Sequence, residues 1–205
     1  MKELKLGLFI ALFFIACSET PNKTLPIIGQ YEIVDGDTIY HQIPQFEFVN
    51  TDSQTVSNSD FKDNIYLADF FFVHCPSICP KVKKQMLRIY DKYEDNDMVK
   101  LVSHTIDPKR DTPEKLKKYA QKLDVNTDKW IFLSGEKEAL LDIADDYFVA
   151  AMEDPEAPGG FDHSGKIILV DKKGHVRSFA EGTEPDDVTR LLEDIDTLLK
   201  EYEKS

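Results

Sequence analysis

Phe71 to Met86 read FFVHCPSICPKVKKQM, and the way this stretch folds decides the rest. It holds two of the chain's three cysteines, Cys75 and Cys79, in a C-x3-C spacing. Upstream, residues 64–73 (NIYLADFFFV) are a continuous aromatic and aliphatic run, as a buried strand requires. Downstream, Val82, Met86, Leu87, Ile89, Tyr90 and Tyr93 recur at helical spacing between Pro80 and about Glu94. Pro76 and Pro80 lack an N–H donor and suit the start of a helix rather than its middle. The thiols are therefore placed at a strand-to-helix turn, with Cys79 at or just before the first helical turn. A helix N-terminus offers free N–H groups and roughly half a positive charge. Both favour thiolate over thiol, so the two cysteines are expected to be reactive or metal-binding.

On either side of this stretch the chain alternates strands and helices. Asp35-Gly36 between YEIV and DTIYHQI marks a β-hairpin. Val99 to Ile106 is a second strand after the dithiol segment. DTPEKLKKYAQKL opens a helix, with Asp111 or Thr112 as N-cap and Pro113 in the first turn. Trp130 to Leu133 is a short strand, and Glu136 to Phe148 is helical. Lys166 to Val170 and His175 to Phe179 flank DKKG and make a late hairpin. Pro185 to Tyr202 closes the chain as an amphipathic helix. A βαβ start and a ββα finish, with thiols after the first strand, give an α/β thioredoxin-like fold. Its mixed sheet is flanked by helices and preceded by an N-terminal β-hairpin extension.

The chain has 205 residues and a formal net charge of −13. Such an acidic balance argues against nucleic acid or an anionic membrane surface as the main partner. The first residues, MKELKLGLFIALFFIACSET, place Lys2 and Lys5 before an apolar run from Leu6 to Ala16. That run is short for a membrane span and suits a signal peptide. FIAC, ending at Cys17, resembles a bacterial lipobox, with Phe14 where leucine is commoner. The expected organisation is a signal peptide at 1–16, a lipidated tether at 17–26 anchored through Cys17, and one domain at 27–205. Export would leave Cys75 and Cys79 in a compartment that permits disulfides. A disulfide between them would close a very small loop and stabilise little, so a structural staple explains them poorly.

The spacing leaves several chemistries open. Thioredoxin-type reductases use C-x2-C rather than C-x3-C. Zinc wants four ligands, and there is no second cysteine pair. Two soft thiolates with one imidazole suit copper. Dithiol redox chemistry and copper binding stand level on spacing alone, with zinc behind both. A third ligand would be one of five histidines. His175 sits among charged residues in a hairpin and is expected to be solvated. His41 lies in the N-terminal hairpin. His74 adjoins Cys75 and should point away from it. His104 lies mid-strand in LVSHTIDP and is expected to be buried. His163, in GGFDHSGKIILV, lies in a glycine-rich loop that a thioredoxin-like body brings to the first helix's N-terminus.

Four segments in order then point to a family. FFFVHCPSICP, TIDPKRDTPEKLKKYAQKL, WIFLSGEKEALLDIADDYFV and FDHSGKIILVDKKGHV resemble the Sco/SenC proteins, copper-handling assembly factors for cytochrome c oxidase. The resemblance covers about residues 44 to 200. It implies a thioredoxin-like fold with copper, as Cu(I) or Cu(II), held by Cys75, Cys79 and His163. It also implies a redox-active Cys75–Cys79 pair and the copper-bearing oxidase subunit as partner. Ser77 stands where the family often has aspartate, which removes a negative charge beside the metal. His74 and His104 depart from the family's usual residues and could offer an extra or transient ligand. Asp107, Arg110 and Asp111 of the DPKRD loop are a turn and a cap, or else a docking surface. The expected function is an extracytoplasmic, membrane-tethered copper metallochaperone. A thiol-disulfide oxidoreductase and a redox or copper sensor are the alternatives.

Overall fold

The computed structural model describes residues 24–203. The signal segment and Cys17 lie outside the described residues. A five-stranded sheet organises the chain, in the order β11-β10-β5-β6-β7. Its centre is β5 (Ile65–Phe71), with all seven residues buried. The parallel neighbours β6 (Val99–Thr105) and β7 (Trp130–Leu133) continue the sheet on one side. On the other side β10 (Lys166–Val170) runs antiparallel to β5, and β11 (Val176–Glu181) runs antiparallel to β10.

Helices supply the crossovers that parallel strands need. They are α1 (Cys79–Tyr93) between β5 and β6, and α2 (Pro113–Leu123) between β6 and β7. Next come α3 (Lys137–Asp146) after β7 and α4 (Pro185–Glu203) at the end. Tyr93 on α1 donates to the Leu192 carbonyl oxygen (3.0 Å) and Asp196 Oδ1 (2.7 Å) on α4, so these two helices share a face of the sheet. The expected thioredoxin-like layout is the one observed.

Strand alternation sorts β5 and β6 between two environments. Asp69 pairs in register with Ser103, and Phe70 with His104. Asp69, Phe71 and Ser103 face α1, where Lys83 meets all three. Phe70 and His104 face the opposite side, against Phe46, Phe48 and Tyr147.

Among the described residues, three two-stranded hairpins decorate this frame. The Asp35-Gly36 hairpin forms as expected between β1 (Tyr31–Val34) and β2 (Asp37–Tyr40). Both turn residues have positive φ (53° and 92°), the backbone of a tight primed turn. Two further hairpins were not anticipated. One joins β3 (Glu47–Val49) to β4 (Thr55–Ser57). The other joins β8 (Ala151–Glu153) to β9 (Phe161–His163), and it carries His163.

Candidate metal centre

Three segments meet at the carboxyl end of β5. The chain leaves the strand through Phe72, and Cys75 N–H closes a turn onto the Phe72 carbonyl oxygen at 3.2 Å. Cys79 is the first residue of α1 and Pro80 the second, so the proline's missing N–H costs nothing there. From the opposite side β9 ends in His163, paired with Ala151. His163 Nε2 lies 3.5 Å from Cys79 Sγ and 3.9 Å from Cys75 Sγ. All three ligand atoms fall within 4.8 Å of one another, the one such cluster among the described residues. Each residue is at least nine-tenths buried, and both cysteines are free thiols.

The imidazole is oriented for ligation. His163 Nδ1 is 3.3 Å from the Ser164 carbonyl oxygen. With Nδ1 turned to that carbonyl, Nε2 faces the two sulfurs; it donates to Cys75 in the metal-free protein and becomes the ligating atom when that proton leaves. The two thiols differ, contrary to the expectation that the helix end would ionise both. Burial pushes the Cys75 thiol up, but hydrogen bonds from His163, Cys79 and the Ser77 backbone outweigh it and bring it down to about 6. Burial dominates at Cys79 and raises its thiol well above the usual range; the Phe72 backbone and the Lys83 charge oppose this without overcoming it. In the metal-free protein these surroundings favour ionisation at Cys75 and keep the proton on Cys79.

The surroundings fix this geometry. Asp111 does not cap α2: its Oδ2 accepts from Val73 N–H (2.9 Å) and Thr105 Oγ1 (2.7 Å). It thereby holds the chain two residues before Cys75. Thr112 is the N-cap of α2, with an extended backbone and no capping bond from its side chain. Arg110 pairs with Asp107, donates to the Gly159 carbonyl oxygen (2.8 Å) and lies over Phe72 and Phe161. The DPKRD loop thus staples down the hairpin that bears His163. Gly159 has a φ of +88°, and a Cβ there would sit 2.6 Å from the Phe72 ring. Only glycine fits that close approach without a shift.

A sequence profile of the SCO1/SenC family matches residues 35–200. The chain belongs to the SCO1/SenC family. It is 29% identical over 197 residues to the SCO1 protein homolog of Bacillus subtilis, spanning 95% of each chain. Among solved structures, BsSco, a member of the Sco family of cytochrome c oxidase assembly proteins in which a disulfide switch was identified, is 31% identical. It superposes with a TM-score of 0.65 over 77% of this chain and 95% of its own. Arabidopsis thaliana ScoI with copper bound is 25% identical, with a TM-score of 0.65 over 78% of this chain and 98% of its own.

The other histidines of this SCO1/SenC chain stand away from the cluster. His104 is fully buried, stacked 4.9 Å from the Phe70 ring, on the sheet face opposite α1. Its two ring nitrogens have no hydrogen-bond partner. His74 is exposed. His41 Nε2 lies 2.8 Å from the Asp146 carbonyl oxygen. His175 is buried rather than solvated, because its Nδ1 reaches the His41 carbonyl oxygen at 2.9 Å beneath the N-terminal hairpin.

One constellation escaped the sequence reading. Lys83, one turn after Cys79 and 3% exposed, donates to Asp69 Oδ2 and Ser103 Oγ, each at 2.8 Å. Its ammonium also lies 4.0 Å from the Phe71 ring centre. Trp130 Nε1–H donates to the same Ser103 hydroxyl at 2.8 Å. The signal was available: a lone carboxylate inside NIYLADFFFV demands a buried partner.

Proposed function

We propose that the protein is a copper metallochaperone that holds its cargo on Cys75 Sγ, Cys79 Sγ and His163 Nε2. The observation that carries this reading is the donor set itself: two sulfurs and one oriented imidazole, nearly dry, within one ion's reach. Soft sulfur donors favour Cu(I) over hard cations, and a tetrahedral zinc site would want a fourth ligand. On loading, Cu(I) would be held by Cys75 Sγ, Cys79 Sγ and His163 Nε2, with the Cys79 and Nε2 protons released to solvent. Because the ligands bind deprotonated, acid releases the metal. The copper-bound Arabidopsis relative supports the choice of metal. The oxidase-assembly family of BsSco supports the copper-bearing subunit of cytochrome c oxidase as recipient.

The setting follows from the same reading. The protein acts outside the cytoplasm, tethered through a lipid on Cys17. No helix among the described residues is long and apolar enough to cross a membrane.

The test is Cu(I) competition against a chelator of known affinity, using the reduced protein and three variants. One tight equivalent is expected, with Cys75→Ser, Cys79→Ser and His163→Ala each weakening it at least tenfold. Weak binding in the parent protein, or binding indifferent to His163, would overturn the reading.

A second reading draws on the two neighbouring free thiols and the difference in their surroundings. The low Cys75 thiol beside the high Cys79 thiol provides an attacking thiolate and a proton donor, as a thiol-disulfide oxidoreductase needs. Disulfide exchange that survives His163→Ala, together with weak copper binding, would favour it.

A further inference from the structure

Beside the thiols lies a cleft of about 320 Å³ between α1 and α2. Cys75, Cys79 and Phe72 line it, and Leu87, Tyr119 and Leu123 give it apolar walls. Its rim is basic in a chain that is otherwise acidic. α1 carries five Lys or Arg to one acidic residue, and α2 carries four to one. The other two helices reverse this, with one basic to four acidic residues in α3 and two to seven in α4.

The rim lysines are also unneutralised. Lys118 pairs with Glu114, and Lys117 with Asp52 on the far side. Lys81, Lys84, Lys115 and Lys122 are exposed and have no partner among the described residues. Helical spacing puts Lys115 and Lys122 on the same stripe as Tyr119, a cleft wall. Lys81 and Lys84 lie within the first two turns after Cys79, and Lys84 lines the cleft itself. Lys84 lines the opening, and Lys81, Lys115 and Lys122 sit on the two helices that wall it, so in a chain with 38 Asp and Glu residues these helices concentrate positive charge beside the cleft.

We infer that this lysine-rimmed cleft docks an acidic segment of a partner protein and brings that segment's metal-binding or thiol side chain to Cys75 and Cys79. Its apolar walls accept side chains, while the rim steers approach and sets orientation. A long polyanion or a charged bilayer would also meet the repulsion of the whole chain at −13. A short acidic segment feels mainly the rim, because screening confines charge effects to about 10 Å at 0.1 M salt. The inference rests on the reading that this dithiol centre exchanges copper or electrons with another protein.

Two peptides test it without copper. Each has one cysteine blocked as a 2-pyridyl disulfide, flanked by glutamates in one peptide and lysines in the other. The Cys75 thiolate attacks the peptide sulfur and forms a Cys75–peptide disulfide. The peptide–thiopyridine bond breaks, and pyridine-2-thione leaves with a proton. For the reduced full chain, the second-order rate should favour the acidic peptide at least tenfold at low salt. The preference should collapse toward one in 0.5 M salt, and Lys84→Glu with Lys122→Glu should reverse it.

A ratio at or below one in the parent protein, which the net charge alone would dictate, overturns the inference. So does a preference untouched by the charge reversal. Salt-sensitive self-association, or binding to phosphatidylglycerol vesicles with no peptide preference, would assign the rim to another occupant and also overturn it. The salt dependence of the parent protein stands even if the variant folds poorly. Cu(I) affinity is measured in parallel, so loss of the peptide preference with tight copper retained faults the docking surface alone. The preference without copper binding faults the copper reading alone.

Discussion

Lys83 and His104 show what one residue can cost this fold. Lys83 is an ammonium inside the core, and it is tolerated because Asp69, Ser103 and the Phe71 face replace water around it. Removing one partner of such a pair strands the other charge. Lys83→Met is therefore expected to lower the unfolding free energy by about 3–5 kcal/mol. Adding Asp69→Leu should restore most of that loss, and urea denaturation of both variants checks it. A single variant of unchanged stability would contradict the ion-pair account.

His104 acts through pH. Burial alone pulls its imidazole down to about 3, against an ordinary value of 6.5. Below pH 6.5 the unfolded chain takes up a proton there, while the folded chain stays neutral until about pH 3. The folded state therefore has its full contribution from this residue above 6.5 and loses it progressively toward 3, by a few kcal/mol in all. His104→Leu should move the acid-unfolding midpoint to lower pH. An unmoved midpoint would mean that His104 does not control acid stability. Burial at His104 was legible from its place mid-strand. The Lys83–Asp69 pair was visible only as a misplaced carboxylate, since helical periodicity does not reveal which polar residue turns inward.

At the scale of elements, the sheet and the helices of the described residues were legible from periodic or apolar runs, and the dithiol turn from the prolines between a strand and a helix. The β3–β4 and β8–β9 hairpins were not, since three-residue strands in polar text carry no period. That matters most for His163, which the sequence placed in a glycine-rich loop and the structure places at a strand end. Its position depends on the 154–160 loop, pinned by Arg110 and by the close approach of Gly159 to Phe72. Gly159→Ala combines a strained φ with a clash, so the loop must shift and take β9 with it. Cu(I) affinity should fall about tenfold or more, with only a modest loss of global stability. Unchanged affinity would show that the hairpin does not set the histidine.

The whole molecule divides its labour by charge and by place. The formal charge of −13 was legible, but its segregation was not, because only the fold sets α1 and α2 side by side around the thiols. The proposed tether belongs to this scale as well. If Cys17 carries the anchor, Cys17→Ser should move the protein from the membrane fraction to the soluble one and leave copper binding intact. A protein that stays with the membrane would instead have an uncleaved N-terminal anchor.

The proposed copper site takes Cys75 from the turn after β5, Cys79 from the start of α1 and His163 from the end of β9. X-ray absorption at the copper edge of the Cu(I)-loaded protein tests it most directly. The claim requires two sulfur ligands and one imidazole nitrogen per copper, with the nitrogen lost in His163→Ala. A sulfur-only shell, or an imidazole signal that persists without His163, would contradict it.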